Sequence, residues 1–129
     1  MEKEFATYEQ ASALKELGFD ESCFAYYENN NLTVTFPSKS SNGWKWVGNS
    51  IIPAKNIIAP TYSQAFRWFR QKYDLQCWIH DGGYVGKCCI KITGYNHDKF
   101  YFSSSEPMEY EEAELACLNK LIEIVKQKQ

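Results

Sequence analysis

Histidine is nearly absent from this 129-residue chain, which carries only His80 and His97. Metal sites and acid–base catalysis therefore have few centres to form around. An excess of either charge is also missing. Lys and Arg number 14 against 16 Asp and Glu, a net charge of -2, which offers no general attraction for nucleic acid or an anionic membrane. Any anion site has to be local. No apolar run approaches the roughly 20 residues that cross a bilayer, and Met1-Glu2-Lys3-Glu4 has no apolar signal-peptide core. Membrane partners are not expected. The five cysteines, Cys23, Cys77, Cys88, Cys89 and Cys117, are odd in number and follow no disulfide-framework spacing, which points to a reducing cytoplasm. Gly82, Gly83 and Gly86 fall within a hairpin rather than between a strand and a helix N-terminus, so the chain has no nucleotide-cradling loop.

Aromatic residues are plentiful. The composition is 44% hydrophobic and 16% aromatic, with 9 Tyr, 8 Phe and 4 Trp, which is ample material for a core. The length suits one domain over 1–129.

A short pattern occurs three times: Thr7-Tyr8-Glu9-Gln10-Ala11, Thr61-Tyr62-Ser63-Gln64-Ala65 and Glu109-Tyr110-Glu111-Glu112-Ala113. Thr followed three residues later by Gln is a capping box, so the first two copies predict helix starts. The third lacks the hydroxyl, but its acidic first turn suits the positive end of a helix dipole. A shift of 54 residues also superposes Phe19 on Tyr73, Asp20 on Asp74 and Cys23 on Cys77. After each of the first two helices comes an extended segment and a turn, at Asn29-Asn30-Asn31 and at Asp81-Gly82-Gly83, residue types that tolerate positive φ. The first hairpin is expected to return through Leu32–Phe36 and the second through a strand reaching Thr93, with a further strand at Lys99–Ser103. The fold class expected is α+β: an antiparallel sheet of about five or six strands with three helices, in the order α-β-β-(β)-α-β-β-β-α, and an internal αββ repeat.

Residues 37–60, rich in Ser, Asn and Gly, predict a loop-rich excursion within this domain, with Trp44 and Trp46 on one face of a short extended piece. In the second helix, Tyr62, Ala65, Phe66, Phe69 and Tyr73 form the stripe that should face the sheet, leaving Arg67 and Arg70 outside it. In the third, Ala113, Cys117, Leu118, Leu121, Ile122 and Val125 form a broad apolar face, with Leu115 well off its centre.

The constellations that carry chemistry are weak. Cys77 and His80, three apart on a strand, point to opposite faces, as do Cys88 and Cys89, so a zinc tetrahedron is not expected and buried structural cysteines are the better reading. His80-Asp81 and His97-Asp98 read as turn chemistry rather than as the base and orienter of a cysteine nucleophile. No cofactor is implied. Arg67-Trp68-Phe69-Arg70 places two guanidinium groups about a turn apart beside an indole, a patch that can hold an anion or stack a base; its plainer reading is a core-facing aromatic side with arginines paired at the surface.

The stretches Thr7–Asp20, Ala59–Tyr73 and Tyr110–Lys126 resemble a family of small uncharacterised bacteriophage and bacterial proteins. The resemblance covers a little over a third of the chain and brings no catalytic motif. It implies host-cell cytoplasm and an accessory role such as binding a host factor. The expected function is thus a non-enzymatic, phage-associated interaction protein that binds a host protein or itself as a dimer, the expected contact residues being Tyr26, Trp44, Trp46, Arg67, Trp68 and Arg70. The alternatives are a nucleotide or single-stranded nucleic-acid binder using the Arg/aromatic patch with Tyr26, and a small Cys/His enzyme centred on His80, ranked last.

Overall fold

Each copy of the repeated pattern starts a helix at its tyrosine. In a computed structural model of the chain, which describes residues 2–34, 38–40, 43–45, 56–83, 85–94 and 99–128, α1 spans Tyr8–Glu16, α2 Tyr62–Tyr73 and α3 Tyr110–Lys128. Thr7 closes the capping box of α1: its Oγ1 accepts from Gln10 N at 3.2 Å, and Gln10 Oε1 accepts from Thr7 N at 3.0 Å. Gly18, at φ 95°, ends α1 with Gly18 N donating to Lys15 O and Phe19 N to Leu14 O, the paired bonds of a Schellman stop. Lys72 stands where a 54-residue shift places Gly18, and α2 runs on to Tyr73 before Asp74 takes the left-handed conformation at φ 57°.

The chain divides into two compact units, Met1–Thr61 and Tyr62–Gln129. In the first, β1 (Ala25–Glu28) and β2 (Asn31–Val34) form a hairpin whose two-residue turn, Asn29-Asn30, has φ of 50° and 68°, as a type I′ turn requires. The expected continuation of β2 through Thr35 and Phe36 lies outside the described residues. Within the predicted excursion, β3 (Ser38–Ser40) and β4 (Gly43–Lys45) pair with each other, and β5 (Ile57–Ala59) pairs antiparallel with β1. The sheet order is β2-β1-β5. All of β5 is buried, and α1 packs against it; Phe5, Ala25 and Ala59 form a small cluster to which Phe24, Tyr27, Leu32 and Val34 add. Tyr27 Oη donates to Ala6 O at 2.8 Å.

In the second unit β6 (Leu75–Asp81), β7 (Cys88–Gly94) and β8 (Phe100–Ser103) form an antiparallel sheet in that order. The hairpin closes over 82–87 with Gly82 N donating to Lys87 O, and Asp81 Oδ1 accepts from Gly83 N at 2.9 Å. Alternation sets the faces. Leu75, Cys77, Ile90 and Ile92 turn inward and are buried, and α3 packs on β6 and β7 through Ala113, Cys117, Leu118, Leu121, Ile122 and Val125, the face read from its periodicity, with Ile124 added. α2 packs on β6 and α3.

The fold is therefore α+β with three helices and two three-stranded antiparallel sheets. Among the described residues the strands group into these sheets and the β3–β4 pair, where the sequence predicted one sheet of five or six. The reason lies in the closing strands. Hairpin signals are local, whereas the partner of β5 or β8 is chosen by long-range packing, which the alternation pattern does not encode.

Candidate functional site

The residues singled out from sequence fall in three places. Trp68 is buried at 6% exposure, with its ring edge-on to Phe69 at 5.1 Å and to Tyr73 at 5.4 Å, and Lys72 Nζ sits 5.1 Å from its centroid. Its indole is thus core material. Arg67 is exposed and Arg70 half-buried on the same helix, so the two guanidinium groups have no open ring between them to complete a stacking patch. Tyr26 belongs to the other unit, half-buried on β1 opposite Thr33 and Ile58. Trp44 contributes backbone to β4, where it pairs with Lys39, and Trp46 lies outside the described residues, as does His97-Asp98.

The cysteines do not all stand as the free thiols that the sequence led one to expect of a reducing cytoplasm. Cys77, on the inner face of β6, is joined to Cys117 of α3 across a Cα–Cα distance of 6.5 Å, within the range a disulfide spans. Cys23, Cys88 and Cys89 are free thiols. Burial, aided by the nearby Glu21 charge, pushes the Cys23 thiol up to about 12, which makes it inert as a nucleophile near neutrality. His80 stands on the outer face of β6 opposite Cys89, with Nδ1 3.1 Å from the Asp81 carbonyl. Cys77 is on the inner face, so the pairing of His80 with Cys77 does not assemble. No group of three His, Cys, Asp or Glu among the described residues is placed to hold a metal ion.

Two open depressions flank the start of α3. One, of about 430 Å³, is lined by Glu106, Pro107, Met108, Glu112, Leu115 and Ala116. The other, of about 600 Å³, lies under the β6–β7 turn between Asp81, Val85, Lys87, Cys88 and Tyr110. Lys87 is engaged there with Glu109 in an exposed ion pair whose hydrogen bond and charge raise the lysine's pKa. Neither depression gathers a nucleophile with a base.

Among the described residues, two exposed aromatics share the outer face of the β6–β7–β8 sheet. Trp78 is 51% exposed and Phe100 60%. The register sets Gln76, Thr93 and Phe100 in one row and Trp78, Lys91 and Ser103 in the next. Trp78 Nε1 donates to Thr93 Oγ1 at 2.9 Å, which draws the indole diagonally across β7 and fixes it there. A signal for this face was present in the sequence. In Leu75-Gln76-Cys77-Trp78-Ile79-His80, Trp78 shares the parity of Gln76 and His80, the polar and outward one.

Comparison of the chain with family models, with curated proteins and with solved structures finds no match. Among the described residues no helix is long and apolar enough to cross a membrane.

Proposed function

We propose that this chain is a non-enzymatic binding protein that holds its partner on the outer face of the β6–β7–β8 sheet, in the phage-associated setting that its resemblance implies. The observation that carries the reading is the exposure of Trp78 and Phe100 together on one sheet face. Large aromatics are normally retained in the core, and those left at a surface are the residues on which binding energy concentrates. The hydrogen bond to Thr93 holds the Trp78 ring in place before a partner arrives, which lowers the ordering cost of association. Capture of host-lysate components on immobilised wild-type protein and on a Trp78→Ala/Phe100→Ala variant tests the reading. The double variant, with an unchanged circular dichroism spectrum, should lose the material that the wild type retains. Equal retention by both proteins would overturn it.

Self-association is the second reading, and it rests on Leu115, 40% exposed beside Met108 and Ala116 on the α3 side of the unit. A single concentration-independent species near 15 kDa in sedimentation would remove it.

A further inference from the structure

Building on that reading, we infer that the outer face of β6–β7–β8 binds single-stranded nucleic acid, stacking bases on Trp78 and Phe100 while Lys91 meets the phosphates. The charge of the face differs from that of the chain. No carboxylate occupies either of its two central rows, Gln76–Thr93–Phe100 and Trp78–Lys91–Ser103, and His80 beside Cys89 continues the carboxylate-free surface along the strands. Six of the unit's acidic residues, Glu106, Glu109, Glu111, Glu112, Glu114 and Glu123, lie on α3 and its approach, and α3 packs on the opposite side of the sheet, while Asp74 and Asp81 stand at the two ends of β6. A chain of net charge -2 thus presents an aromatic face whose central rows carry Lys91 and no carboxylate, and it is the local potential that an oligonucleotide meets at close range.

The two rings come from the outer strands of the sheet and meet at Thr93, Trp78 through its hydrogen bond and Phe100 through the register. Each ring offers a face on which a base can stack. Trp78 is suited to the task because the bond to Thr93 lays the indole across β7, and Lys91, directly opposite Trp78 in the register, places an ammonium beside it. Gln76, Thr93 and Ser103 supply neutral hydrogen-bonding groups between the rings. A base-paired duplex hides the faces of its bases, so the arrangement selects unpaired strands. The α2 arginines play no part in it.

Fluorescence anisotropy with labelled ten-residue oligouridylate, oligothymidylate and a duplex of matched length, at 50 and 200 mM salt, tests this, the first two arms separating RNA from DNA. Binding of one or both single strands and weaker binding of the duplex are expected, with affinity falling as salt rises. Trp78→Ala and Phe100→Ala should each weaken binding by about tenfold or more, the scale of one lost base stack, and Trp78→Phe should restore most of the Trp78→Ala loss. Lys91→Ala should flatten the salt dependence, and Arg67→Ala should change nothing. Absence of binding at 50 mM salt, or binding indifferent to both aromatic substitutions, overturns the inference. If lysate capture then still depends on Trp78 and Phe100, the binding face stands with a protein partner; if capture is indifferent too, both proposals fall.

Discussion

In the N-terminal unit the hairpin turns through two residues, Asn29 and Asn30, and its third strand joins beside β1; in the C-terminal unit the hairpin turns through 82–87, and its third strand joins beside β7. Both begin with the same Thr-Tyr-x-Gln-Ala helix start, and both carry a cysteine at the entry to the hairpin. The likeness is therefore confined to what neighbouring residues can enforce. Caps and turns repeat; closure does not. One consequence is chemical: Cys23 stays a buried thiol, while Cys77, 54 residues on, meets Cys117 because only the C-terminal unit has a third helix across its inner face.

The sharpest way to break this comparison is at the helix ends. Phe19 is 2% exposed, whereas its counterpart Tyr73 is half-buried. Phe19→Ala should cost about 3–5 kcal/mol, the usual range for emptying a buried aromatic site, and Tyr73→Ala distinctly less. Urea unfolding followed by circular dichroism reads the difference. Equal losses would mean that the two positions are equivalent after all.

The cysteines come next in size. A bond closing the 40-residue separation between Cys77 and Cys117 restricts the unfolded chain by an amount worth about 2–4 kcal/mol, so reduction or Cys117→Ala should lower the unfolding midpoint. Thiol titration in denaturant should count three free thiols before reduction and five after it. Five before reduction would remove the bond. Cys23 should alkylate last of the three, because its folded-state pKa is raised to about 12. Since the folded thiol holds its proton more tightly than the unfolded one, its contribution to stability is fully present below the unfolded thiol's pKa of about 8.5 and is lost as pH rises from there through 12. Cys23→Ala should flatten that alkaline fall.

How far the fold was legible follows from the same division between local and distant signals. The starts at Tyr8, Tyr62 and Tyr110, the turns at Asn29 and Gly83, and the buried face of α3 were all readable because caps, positive-φ residues and a 3.6-residue period are written within a few positions. Trp68, read as the indole of an Arg67–Arg70 surface patch, is buried, because Phe69 and Tyr73 form an aromatic cluster wide enough to enclose it. The outer-face pair was missed for a different reason. The parity of β6 exposes Trp78, but Phe100 follows a register shift between Ile92 and Thr93 that no period reveals. The bond from Cys77 to Cys117 was likewise hidden, since neither residue carries a sign of its partner.

A smaller effect separates the two helix stops. Gly18 holds φ 95°, where a side chain is strained, so Gly18→Ala should cost about 1–2 kcal/mol. Lys72, one shift along, lies inside α2 with an ordinary helical backbone, and its ammonium only rests over Trp68 and Tyr73. Lys72→Ala trades that contact for the best helix former and should change stability by less than about 0.5 kcal/mol. Thermal midpoints of the two variants check the contrast, and a Gly18→Ala protein as stable as the wild type would mean that α1 runs on through Gly18 as α2 runs through Lys72.

The smallest shift, that of Asn30→Gly, belongs to a test of whether the N-terminal turn alone fixes its register. Asn30 occupies the second central position of a two-residue type I′ turn at φ 68°, a site where glycine is the preferred residue and asparagine is tolerated. Asn30→Gly relieves that residual strain but gives the unfolded chain more freedom, and the two nearly cancel, leaving a gain of a few tenths of a kcal/mol. Asn30→Val adds a branched side chain where φ is positive and should cost about 1–2 kcal/mol. The wider turn over 82–87 has positive-φ positions at Gly83 and Gly86, where a side chain is strained, so Gly83→Asn should cost a few tenths of a kcal/mol to about 1 kcal/mol. Denaturation midpoints ordered Asn30→Gly, wild type, Asn30→Val would show that two residues set the pairing of Glu28 with Asn31. If Asn30→Val matched the wild type, the register of that hairpin would be held by β5 on its other side, and the two units would be closed by their third strands rather than by their turns.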